Sequence, residues 1–242
     1  MVGTGIRVEA QGDESMNWHV AKRMGVALAV ALLAACSDDG EGPTPDGGTK
    51  TDGGTSTTKS AGPGLGTSKE TPAGTTFALP AGLTLENPIT SYTPQDPVEC
   101  DDIFPEDAKG SGDEVTLCLI FRNTTGAPIT LTLPPGLIFV STNDDVQNGL
   151  LVQTVTIEVP PGDRFFVPLF LYCANQDRST TGPDDKYVLG PTVQYKEFQE
   201  LYSLLAGKTL EVEDAAVIQV AVSHLTNGEG LSASDRAALQ AL

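Results

Sequence analysis

"FFVPLFLYC", residues 165–173, is apolar on both faces. Successive side chains of a strand point to opposite sides, so this run must be walled by protein above and below. The neighbouring runs alternate instead. "VTLCLIF" (115–121) puts Val115, Leu117, Leu119 and Phe121 on one side, and "ITLTL" (129–133) and "VTIEV" (155–159) follow the same period of two. Turn signals separate them: "NTTGAP" (123–128), "PPG" (134–136), "NDDVQNG" (143–149) and "PPGD" (160–163). Short strands at regular spacing with Pro-Gly turns predict an antiparallel, Ig-like β-sandwich. Pro168 has no N–H to give to a ladder, which predicts an edge or a bulge at that point.

After Val193 the period changes. Phe198, Leu201, Tyr202 and Leu205 fall at i, i+3, i+4 and i+7, and Gly207 follows them; Ile218, Ala221, Val222 and Leu225 repeat the pattern before Asn227-Gly228. Ser232 with Asp235 three residues on predicts the cap of a third helix. The fold class is therefore α+β. One globular domain is expected over 76–242, with the β-sandwich at 76–190 and a helical part at 191–242.

The remainder of the chain is of another kind. Residues 37–75 carry no aromatic and no β-branched aliphatic side chain, and Leu65 is their only large apolar one. A segment so poor in apolar surface predicts a disordered linker, with an end-to-end distance of roughly 35 Å. Ahead of it, Lys22 and Arg23 precede an apolar run from Met24 to Ala35, which has the length of a signal-peptide core and is too short to span a bilayer. Residues 1–15 lack an apolar pattern and read as a misassigned start before Met16.

The run ends Leu33-Ala34-Ala35-Cys36, and this resembles the lipobox of bacterial lipoproteins. The resemblance implies removal of residues 1–35, a diacylglyceryl group on the Cys36 sulfur and acylation of the new amine. Several acyl chains together give stable anchoring. The other reading is a plain secretory peptide cut near Ala35. Ser37, a non-Asp residue after the modified cysteine, implies the outer membrane by resemblance to lipoprotein sorting rules. The expected location is the cell envelope, with the membrane as partner through the lipid.

The net charge of −18 is a property of the mature chain, because Arg7, Lys22 and Arg23 balance Glu9, Asp13 and Glu14 within the removed segment. So acidic a surface argues against nucleic acid as a partner. Cleavage leaves His224 as the only histidine, which excludes a histidine cluster for zinc. Nucleophile-elbow, phosphate-loop and dinucleotide motifs are missing. The acidic pairs Asp101-Asp102, Asp144-Asp145 and Asp184-Asp185 read as solvated turn acids rather than Ca²⁺ ligands. No metal and no cofactor are expected, and no enzyme.

Three cysteines remain after Cys36. Cys100 and Cys118 bracket an acidic loop and make the most natural disulfide in an exported protein. Cys173 is then left over at the end of its apolar strand. It reads either as an inert buried thiol, as a disulfide partner of Cys100 or Cys118, or as a reactive centre. The third reading needs a partner, and Gln219 in "AAVIQVAV" (215–222) is a polar side chain beside an apolar helical stripe. His224, five residues on, falls on a different helical face.

"YCAN" (172–175) and "IQVAV" (218–222), with "LYSLLAG" (201–207) and "HLTNG" (224–228), resemble the thioester domains of bacterial surface adhesins. In that family an aromatic-Cys element and a later hydrophobic-Gln-x-hydrophobic-hydrophobic element supply the two halves of an internal thioester. The resemblance implies that the Cys173 sulfur attacks the Gln219 side-chain carbonyl, expels ammonia and leaves a shielded electrophile for an amine on another surface. Such chemistry needs a near-attack geometry, a transiently deprotonated thiol and excluded water.

Three functions are compatible with these readings. The leading one is a lipid-anchored envelope protein presenting a non-catalytic binding or adhesion domain on a flexible stalk, its partner a host-surface or envelope protein. The second is a thioester adhesin-like domain using Cys173 and Gln219. The third is a structural envelope lipoprotein.

Overall fold

The strand that ends in Cys173 forms as read, and it organises the rest of the domain. The structure is a computed structural model that describes residues 60–92, 100, 108–175 and 177–242. The chain divides into two units, 1–53 and 54–242, and every described residue belongs to the second. The signal segment, Cys36, linker residues 37–59 and the pair Asp101-Asp102 lie outside the described residues.

Eleven strands precede three helices among the described residues. The strands are β1 (Thr75–Thr76), β2 (Leu83–Leu85), β3 (Ile89–Ser91), β4 (Lys109–Gly110), β5 (Val115–Asn123), β6 (Ile129–Leu133), β7 (Leu137–Ser141), β8 (Gly149–Leu150), β9 (Val155–Val159), β10 (Gly162–Cys173) and β11 (Lys186–Thr192). The helices are α1 (Lys196–Leu205), α2 (Ala215–Thr226) and α3 (Ala233–Ala241), so the α+β class holds.

The Ig-like sandwich is corrected. β5, β3, β11, β7, β8 and β10 are hydrogen-bonded in that order, and β10 returns to β5 to close a six-stranded barrel. The closing seam is the longest pairing, antiparallel from Leu171 opposite Val115 to Phe165 opposite Phe121. β2 adds to β5, β4 runs parallel to β10, β1 lies on β11, and β6 with β9 forms a separate two-stranded ribbon. Alternation within a strand sets which face is buried but says nothing of whether the first and last strands meet. Here the two-faced apolar runs of β5 and β10 seal against each other, which removes two exposed edges. Pro168 lies opposite Cys118 on the β5 side, and β10's other flank is paired only further on, at Leu169–Phe170 and Tyr172–Cys173. Its missing N–H therefore leaves no gap in the described ladder.

The two faces of the central strands serve different cores. Val115, Leu117, Leu119 and Phe121 of β5 meet Val167, Leu169 and Leu171 of β10 and the alternate residues of β6 and β9 in the main core. Cys118 and Ile120, on β5's other face, join Tyr92 and Cys100 in a small cluster backed by Phe166 and Phe170. Cys100 and Cys118 form a disulfide within that cluster, as expected. A second core lies under the helices: Phe198, Leu201 and Leu205 of α1, Ile218, Val222 and Leu225 of α2 and Leu239 of α3 cover Ile138, Leu150 and Tyr172 of the barrel wall. The periods read from the sequence thus place α1 and α2, and the capping signal at Ser232 places α3. Gly207 takes φ +75° just beyond α1, a conformation that suits glycine at a helix end. Ser232 and Asp235 form a reciprocal capping box at α3.

The linker's extent is also corrected. Leu65 is fully buried in the helical core. The Ala61 N–H donates to the Thr226 carbonyl and the Gly66 N–H to that of Ala174, so the chain from Ser60 to Gly66 is strapped across the helices and the end of β10. One leucine with a pocket to fill outweighs a polar composition averaged over the segment.

Candidate functional site

β10 outruns its partner. Pairing with β5 ends at Leu171 opposite Val115, two residues short of Cys173. On the other flank Cys173 stands opposite Gly149 of β8, and the next residue, Ala174, donates its N–H to Asn148. The N–H and C=O of Cys173 therefore point away from β8, toward ladder positions that β5 has vacated. Gln219 of α2 fills them. The Cys173 N–H donates to Gln219 Oε1 at 2.9 Å, and Gln219 Nε2 donates to the Cys173 carbonyl at 3.1 Å. The structure thus brings together, across 46 positions of chain, the two residues singled out from sequence.

Cys173 is the free cysteine among the described residues and is buried, so the alternative disulfide to Cys100 or Cys118 does not form. Its Sγ accepts the Asn175 backbone N–H at 3.3 Å. Burial pushes the thiol up to about 12, with the Asn175 N–H pulling weakly the other way. The sulfur is accordingly a protonated thiol at neutral pH, and it reacts only with help from a base.

Asn175, the last residue of "YCAN", is fully buried and acts as a clamp. Its Nδ2 donates to the carbonyls of Gly64 and Gly66 at 3.0 Å each, and its Oδ1 accepts the Asn148 N–H at 3.1 Å. Asn148 adds a bond to the Gly64 carbonyl and accepts the Ser141 N–H. The strap at 60–66, the turn after Cys173 and β8 are fixed to one another through these two amides.

The Cys173–Gln219 pair opens onto a cleft of about 620 Å³, whose lining includes Glu114, Gln147, His224 and Glu229. Sequence reasoning set His224 on a different helical face; the cleft is wide enough to take in both faces, running along α2 from Gln219 and Val220 to Asn227. The His224 imidazole also has a partner that spacing alone did not reveal. Its Nδ1 lies 2.9 Å from Asp235 Oδ2 on α3. Burial by itself would raise the Asp235 carboxyl, but hydrogen bonds from Ser232 and His224 outweigh it and hold the group below the ordinary aspartate range. An ionised Asp235 accepts only, so Nδ1 carries the proton and Nε2 keeps its lone pair in the neutral ring.

Gln147 was not legible as a site residue. It is buried, its Nε2 donates to the Arg178 carbonyl at 3.1 Å, and its Oε1 has no hydrogen-bond partner. A buried carbonyl oxygen without a donor is costly, and Gln147 is one of the residues that line the cleft. Of the acidic pairs, Asp145 bridges to Lys69 and Asp185 caps its own turn at Gly182. Among the described residues no three His, Cys, Asp or Glu side chains cluster as metal ligands, and no helix is long and apolar enough to cross a membrane.

Compared with known protein families, with curated proteins and with solved structures, the chain matches none.

Proposed function

We propose that this chain is a lipid-anchored envelope protein whose folded domain carries an internal thioester between Cys173 and Gln219 and captures amines covalently. The observation that carries the reading is the reciprocal pair of hydrogen bonds between the Gln219 amide and the Cys173 backbone. The anchor and the envelope location rest on the lipobox resemblance at Cys36.

Several features support the chemistry. The Cys173 N–H donates to the oxygen of the carbonyl that the Cys173 sulfur would attack, so negative charge developing on Oε1 meets a donor already in place. The amide nitrogen, which would leave, donates to a carbonyl on the same residue. Holding both groups on one framework removes most of the entropic cost of their meeting. In the step itself Sγ bonds to Cδ, the Cδ–Nε2 bond breaks, and the thiol proton departs with nitrogen as ammonia. Later an amine nitrogen bonds to Cδ, the Cδ–Sγ bond breaks, and the sulfur regains a proton while glutamine becomes an N-substituted amide. The same two hydrogen bonds also favour a second reading, the non-catalytic binding module, in which Gln219 merely completes the strand end.

Intact mass of the mature full-length protein separates the two. The thioester reading expects a chain one ammonia lighter than its sequence with one disulfide, no titratable thiol after denaturation, and a methylamine adduct on exposure to that amine. Cys173→Ala should abolish both the loss and the adduct. A wild-type mass without ammonia loss, with one free thiol on denaturation, would overturn the thioester and leave the binding module.

A further inference from the structure

An internal thioester between Cys173 and Gln219 has one demand that the pair itself does not meet. Both the forming and the opening of the bond move a proton between sulfur and nitrogen, and a buried thiol neither gives up its proton readily nor leaves well as a thiolate. Gln219 is already committed to the Cys173 backbone. Asn175 is committed to the strap.

Resting on the thioester reading, we propose that His224, oriented by Asp235, is the proton-transfer residue of the cleft, taking a proton at Nε2 from the attacking nitrogen and delivering it to the departing Cys173 sulfur. The electron pair of the amine forms the new N–Cδ bond, the Cδ–Sγ pair stays on sulfur, and the imidazole carries the proton from one to the other. Expulsion of ammonia during thioester formation is the reverse of ammonia attack, so the same ring serves both directions.

Two observations converge on this assignment. His224 lines the same cleft as Cys173 and Gln219. Asp235 fixes its tautomer so that Nε2 is the accepting nitrogen, the arrangement in which a base is aimed by a third group. The charged and titratable groups around the ring are Asp235 on α3, Glu114 ahead of β5, Glu229 after α2 and Cys173 on β10; Arg236 of α3 is forked onto Glu200. Glu114 and Glu229 are the competing bases. Rescue of a His224 variant by added imidazole distinguishes the ring from them.

Methylamine addition to the mature full-length protein, followed by intact mass at fixed free-amine concentration, tests the assignment. Wild type should slow on acidification at fixed free amine. His224→Gln should add methylamine roughly a hundredfold more slowly, with that acid limb lost. His224→Ala should regain rate when imidazole is supplied in the medium, an effect open to it because the ring is partly exposed. Slow thioester formation in these variants, with thermal unfolding as in wild type, would support the same role. Asp235→Asn, which keeps a capping side chain on α3, should lose part of the rate and move the profile. A wild type that never loses ammonia overturns the thioester reading itself. A wild type that loses ammonia, beside His224 variants that keep its rate or keep its acid limb, overturns the role of His224 alone.

Discussion

Cys173 shows how burial changes what a side chain can do. An ordinary thiol titrates near 9.0, and this one is pushed up to about 12. Below the first value the folded and unfolded chains both hold the proton, so the thiol is silent. Between the two values the unfolded chain releases a proton that the folded chain retains, and the folded state loses ground as pH rises. The loss amounts to on the order of 4 kcal/mol across that window. A thioester has no thiol to titrate. Protein opened with methylamine should therefore lose stability above pH 9.0, relative to Cys173→Ala, as read by urea unfolding on either side of that pH. The unopened protein, held by its cross-link, should show the same pH dependence as Cys173→Ala. Tyr172, raised by burial, weakens all the proteins alike at high pH and cancels in the comparison. Cys173 stood out in the sequence as the cysteine left over at the end of an apolar strand, and Gln219 as a polar side chain beside an apolar helical stripe. Gln147 and Asp235 did not, because a buried orphan oxygen and a carboxylate behind a histidine are facts of tertiary packing. Asp235 was legible only as half of a helix cap, and it performs both tasks.

Among the elements, periodicity located α1, α2 and the longer strands because it records burial within one segment. It could not record pairing between segments, and so the β5–β10 seam that closes the barrel was invisible while both strands were correctly read. The strap at 60–66 was missed for a related reason. Its stability comes from other parts of the chain: the pocket for Leu65 and the two buried amides Asn148 and Asn175. Leu65→Ala should cost about 2–5 kcal/mol by urea unfolding, the range for emptying a buried leucine site that relaxes only partly. The strap bears on Asn175, and Asn175 bears on the turn that holds the Cys173 sulfur. The same substitution should therefore slow thioester formation, followed by intact mass, even in protein that remains folded. An unchanged unfolding midpoint would show the strap to be dispensable and would remove this route from the fold to the site.

At the scale of the molecule, the net charge of −18 should, on the thioester reading, give the cleft a preference among amines. Glu114 and Glu229 line it, and among the described residues His224 is the only nitrogen base in its wall. Such a surface raises the local concentration of cations and repels anions, an effect that salt screens. Three small amines of similar nucleophilicity should then open the thioester at different rates for equal free amine: a diamine with a distal ammonium fastest, methylamine next, and an amino acid with a distal carboxylate slowest. The spread should shrink as salt is raised from about 0.15 M to about 1 M, where the screening length falls from roughly 8 Å to roughly 3 Å. Glu114→Gln with Glu229→Gln should narrow it further at low salt, while the uncharged methylamine rate changes least. Equal rates for all three amines at low salt would mean that the acidic surface plays no part in choosing the nucleophile, and selection would then fall to the shape of the cleft.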